Sequence, residues 1–84
     1  MTDEILDARE KTHGYYPVQS AAAQGMKDII RAMPNYHRMP PFMRESLDMI
    51  VTKIARMGHG NAFEPDHVDD IIGYAELIAK EIKK

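Results

Sequence analysis

In every long stretch between its prolines and glycines, this chain repeats apolar residues at helical spacing, and no stretch alternates with the period of a strand. That pattern predicts an all-α fold. TDEILDAREK (Thr2 to Lys11) predicts a short first helix, with Thr2 as N-cap and acidic residues in the first turn, where the helix dipole favours them. THGYYP breaks it, because Gly14 tolerates a positive φ and Pro17 cannot continue a helix. A second helix is expected from about Pro17 to Met33, with Val18, Ala22, Met26, Ile29, Ile30 and Met33 on one face. MPNYHRMPP holds three of the five prolines and reads as a loop. A third helix is expected from about Pro41 to Met57, ended by the glycines of MGHGN. The fourth opens at Glu64-Pro65, since proline suits the first helical position, and runs to a lysine-rich end that complements the dipole.

A chain of 84 residues allows one domain and only a modest core. One short and three main helices therefore predict a bundle completed by oligomerisation, as a homodimer or tetramer. With no cysteine there is no disulfide framework and no thiolate metal site. MTDEILDARE lacks the apolar segment of a signal peptide, and no apolar run approaches the ~18 residues of a membrane span. A soluble, cytoplasmic protein without membrane contact is expected. The net charge of −2 argues against a nucleic-acid partner held by phosphate neutralisation. Walker loop, Rossmann glycines, nucleophile elbow and HExxH are all absent from the sequence. A nucleotide enzyme built on this chain would have to work through carboxylates and a metal.

Carboxylates recur on two consecutive helices. On the third, Met43, Leu47, Ile50, Val51 and Ile54 form an apolar stripe, opposite Glu45, Met49, Thr52 and Arg56, with Asp48 at the edge. On the fourth, Val68, Ile71, Ile72, Ala75, Ala79 and Ile82 form the stripe. Asp66, Asp70, Gly73 and Leu77 face away from it, with Asp69 beside Asp66. Because Met49 and Leu77 share the acidic faces, each helix has apolar residues on two sides and calls for a second partner, most simply another copy of the chain. Two readings follow. Glu45, Asp66 and Asp69 would occupy first turns, where the dipole alone favours them, on solvated faces. Alternatively, carboxylates gathered between helices would repel one another unless a cation joined them, and a hard-oxygen set without cysteine points to Mg²⁺ or Mn²⁺.

At these residues the sequence resembles the MazG-like all-α nucleoside-triphosphate pyrophosphatases. That family carries a Glu-x-x-Glu pair on one helix and a Glu-x-x-Asp pair on the next; here Glu45-x-x-Asp48 is followed by Asp66-x-x-Asp69. Small phage and prophage members are the closer likeness, with a THG turn, a RESLDMIVTKIAR-like stretch and a PDHVDDIIGYA-like stretch. Here those are Thr12 to Gly14, Arg44 to Arg56 and Pro65 to Ala75, so the likeness runs from about Lys11 to Ile82. It implies that Glu45, Asp48 and Asp66, with Asp69 or Asp70, hold Mg²⁺ against the phosphates of a nucleoside triphosphate, which is hydrolysed to monophosphate and pyrophosphate. Three of the four acidic positions are Asp, and two of them, Asp48 and Asp66, stand where the family pattern has Glu, which would draw the metal nearer the helix axes. Asp70 shares the face of Asp66 more closely than Asp69 does, so the fourth ligand stays open between them.

The supporting residues each have two readings. Lys27 and Arg31, on a stripe with Ser20 and Gln24, would neutralise phosphates or simply be solvated. Lys53 and Arg56 would bind phosphate or pair with the carboxylates, and Tyr74 would stack on a base or pack in an interface. His13 and His67 read as polar turn or cap residues, and His59 as part of a turn. Two functions from different classes remain: a Mg²⁺-dependent nucleotide pyrophosphohydrolase, and a non-catalytic helical assembly protein with the same fold.

Overall fold

The computed structural model describes residues 2–84. It is all-helical among those residues: α1 spans Asp3–His13, α2 Tyr16–Arg31, α3 Pro41–His59 and α4 Pro65–Ile82, with a 3₁₀ turn at Tyr36–Arg38. Thr2 caps α1 as expected, its hydroxyl accepting from the Ile5 N–H at 3.4 Å. Proline stands in the first two positions of α2, α3 and α4, where its missing N–H costs no helical bond. Helix α3 continues through Gly58 and stops at Gly60, whose N–H bonds the Arg56 carbonyl at 2.8 Å. The proline-rich connection between α2 and α3 is held by Arg44. Its Nη2 donates to the His37 carbonyl at 2.8 Å, and its guanidinium lies 4.9 Å from the centre of the Tyr36 ring.

Helix α3 is the centre of the molecule, packing most extensively on α4, then on α2, then on α1. The faces it meets are narrower than the apolar stripes suggested. On α2 the buried residues are Gln19 and Ala23, while Val18 and Ile29 stay exposed; the helix ends at Arg31, short of the expected Met33, which is also exposed. On α3 they are Ser46, Val51 and Ala55, and Ile54 is exposed. On α4 the inner face runs through His67, Ile71, Tyr74 and Ile78, leaving Val68, Ile72, Ala75 and Ile82 outside. Small side chains set this arrangement, because helices approach most closely where Ala and Ser stand at the contact. The bulky half of each stripe is displaced to the flank. Only Ala23, Val51 and Ala55 are fully buried apolar residues among those described. No described helix is long and apolar enough to cross a membrane.

Candidate functional site

The acidic residues singled out on α3 and α4 separate into two kinds. Asp48 and Asp70 each meet a cation from a neighbouring helix. Arg31 of α2 places Nη2 3.6 Å from an Asp48 carboxylate oxygen, and Lys53 of α3 places Nζ 2.9 Å from one of Asp70. The Lys53 side chain is 12% exposed, so its ammonium is held along the α3–α4 seam, with Asp70 closing it from the solvent side. That contact keeps the Asp70 carboxyl below the usual carboxylate range, first by hydrogen bonding to Lys53 and then by its charge. Arg31 also reaches the exposed Asp28 at 3.8 Å.

Glu45, Asp66 and Asp69 are exposed and pair with no cation among the described residues. Of the three, only Asp66 lies in a first turn. The dipole therefore accounts for Asp66 and leaves Glu45 and Asp69 without that explanation. Among the described residues no three Asp, Glu or His side chains gather as a metal cage. Mg²⁺ does not require one, since it keeps several waters and is held by one or two carboxylates together with substrate phosphates. The one-turn pair Glu45 and Asp48 on α3, and the Asp66, Asp69 and Asp70 run on α4, fit that coordination chemistry. Lys27, Arg56 and Tyr74 are half-buried, and Arg56 Nε is enclosed without a hydrogen-bond partner.

A second cluster escaped the sequence. His67, expected as a polar turn or cap residue, is 2% exposed and is the most enclosed large side chain of the described residues. Its Nε2 bonds the Thr12 carbonyl at 2.7 Å, and the Asn61 N–H donates to the same oxygen at 3.1 Å. Thr12 belongs to the last turn of α1, whose carbonyls have no intrahelical partner. The end of α1 is thus closed by α4 and by the loop after α3.

Two glycines make the approach possible. Gly14 has φ +90°, and a Cβ there would lie 2.5 Å from the His59 carbonyl oxygen. A Cβ on Gly60 would run into the Thr12 carbonyl. His13 packs edge-on against His67, with ring centres 5.3 Å apart, and its Nδ1 is 2.7 Å from the Thr12 hydroxyl. Burial lowers the His13 pKa below its ordinary value, and the charges of Arg56, His67, Lys53 and Arg9 lower it further. The signal available in the sequence was His67 standing one turn before Ile71 on the same face. Comparison with protein-family models, curated proteins and solved structures finds no match.

Proposed function

We propose that this chain is a MazG-like nucleoside-triphosphate pyrophosphohydrolase that uses Mg²⁺, or Mn²⁺, held by carboxylates of α3 and α4. The observation that carries the proposal is the pairing of Asp48 with Arg31 and of Asp70 with Lys53. Residues suited to a metal stand in direct contact with residues suited to phosphate, across two helix seams. In the free protein each neutralises the other. With nucleotide and metal bound, the carboxylates would hold the cation, and Arg31 and Lys53 would be free to meet phosphate oxygens, Arg as a fork and Lys as a point charge. Glu45 and Asp48 on α3, and Asp66 with Asp69 or Asp70 on α4, would hold the ion. Bound there, Mg²⁺ supplies polarisation of the phosphoryl oxygens and an activated water. The α–β anhydride is cleaved, the water's oxygen enters one product, and monophosphate and pyrophosphate leave.

The second function, a non-catalytic helical assembly protein, is favoured by the apolar side chains left outside the bundle, Val68, Ile72 and Leu77 among them. In both functions a second copy of the chain covers those flanks, as a homodimer or a tetramer, and a cytoplasmic location suits both.

Turnover decides between them. Purified protein is incubated with a panel of ribo- and deoxynucleoside triphosphates in Mg²⁺ or Mn²⁺ and the products are separated. Monophosphate and pyrophosphate are expected, abolished by chelator and by Glu45→Gln or Asp66→Asn in protein of unchanged helicity. No turnover of any nucleotide by folded protein would overturn the enzyme and leave the assembly protein.

A further inference from the structure

The end of α1, the turn into α2 and the last turns of α3 enclose a cleft of about 670 Å³, within the range of small-molecule sites. We propose that it is a metal-independent binding site for a phosphomonoester that carries a planar ring. Neither Asp48 nor Asp70 lines it, so the site extends beyond the carboxylate pairs described above.

Three features of the lining carry this. Arg9 and Arg56 bring two guanidinium groups from separate helices, and His13 brings an imidazole. Arg56 lines the cleft and pairs with no carboxylate among the described residues, which leaves its guanidinium free for the phosphate oxygens it binds as a fork. Gln19 is 4% exposed and lines the cleft, so a largely buried side chain able to donate and to accept stands in its wall. Tyr15 and Tyr16 are consecutive, line the cleft and are 59% and 70% exposed, which leaves two aromatic faces for a flat ring. Glu10 is the one acid in the lining, against two guanidinium groups. An anion alone would leave the tyrosines and the amide idle; a ring alone would leave Arg56 unsatisfied.

The test is isothermal titration of the full chain in EDTA with adenosine or uridine 5′-monophosphate, the parent nucleosides and inorganic phosphate. The monophosphate is expected to bind at least about tenfold more tightly than nucleoside or phosphate, a difference of about 1.4 kcal/mol. Arg9→Ala and Tyr16→Ala, both at exposed positions, are expected to weaken it by a similar factor with unchanged circular dichroism. Absence of binding by either monophosphate at millimolar concentration overturns the proposal. So does equal affinity for free phosphate, or affinity untouched by both substitutions. The assay contains no Mg²⁺ and reads no turnover, so it can succeed where hydrolysis fails and fail where hydrolysis succeeds.

Discussion

The Thr12 carbonyl shows how much one atom can organise. It accepts from His67 Nε2 and from the Asn61 N–H, so it joins the end of α1 to the start of α4 and to the loop between α3 and α4. A carbonyl only accepts, so Nε2 of His67 must carry the proton. His13 stands beside this contact among Arg9, Lys53 and Arg56, and burial and those charges lower its pKa. A histidine with a depressed folded-state pKa binds its proton more weakly folded than unfolded. Its contribution to stability is therefore complete above the unfolded value of about 6.5 and is lost as pH falls through the lower folded value. Thermal melts from about pH 7 down to about pH 5 should show a falling Tm, and His13→Asn should remove part of that fall. An unchanged slope in the variant would assign the effect to other groups. THG and DHVDD were visible as motifs, but the bond between them spans 55 positions in the chain and could not be read from either.

At the scale of the element, α4 is the instructive helix. Its bounds were legible, because Pro65 opens it and the apolar period runs unbroken to Ile82. Its orientation was not. Ile71 and Ile72 are neighbours in one apolar stripe, yet Ile71 turns to the bundle and Ile72 is 51% exposed. The two should respond differently to charge. Ile71→Asp places a carboxylate against α3 and should cost about 2 kcal/mol or more in urea unfolding. Ile72→Asp should leave the helical spectrum intact while reducing the sedimentation coefficient, if the exposed flank meets another copy. An unchanged sedimentation coefficient in Ile72→Asp would mean that the flank is not where copies associate. Arg44 makes a similar point on α3: its charge marked nothing in the sequence, and in the fold it ties down the proline-rich connection through His37 and Tyr36.

Taken whole, the molecule is long for its size. Its extents are 43 × 25 × 23 Å and its radius of gyration is 14.2 Å, where a compact chain of this length would have about 12 Å. It exposes 5932 Å² of surface, against about 5,100 Å² for a typical monomer of the same mass. The excess is close to the ~800 Å² that each partner contributes to a standard protein interface. With three fully buried apolar side chains among the described residues, the single chain has little core to hold it. Its Tm should therefore rise with protein concentration, as mass action requires when folding and association are linked. A Tm independent of concentration over a hundredfold range (roughly 1 to 100 µM) would show a bundle stable alone.

The sequence by itself determined the local structure: four helices, their caps and their breaks, because these depend on residues within a few positions of one another. It also marked the cations and carboxylates that the fold pairs, Arg31 with Asp48 and Lys53 with Asp70, as members of one candidate site. Tertiary structure alone decided which side of each helix faces inward. Several apolar faces of similar width compete for one interior, and the choice falls where Ala23, Ser46 and Ala55 let the helix axes come close. It alone made His67 the most enclosed large side chain of the described residues, where α1, α3 and α4 meet, and opened the cleft beside Arg56, where the end of α1 and the start of α2 meet α3. Helix ends remote in sequence become neighbours only through packing, and no periodicity along the chain encodes that meeting.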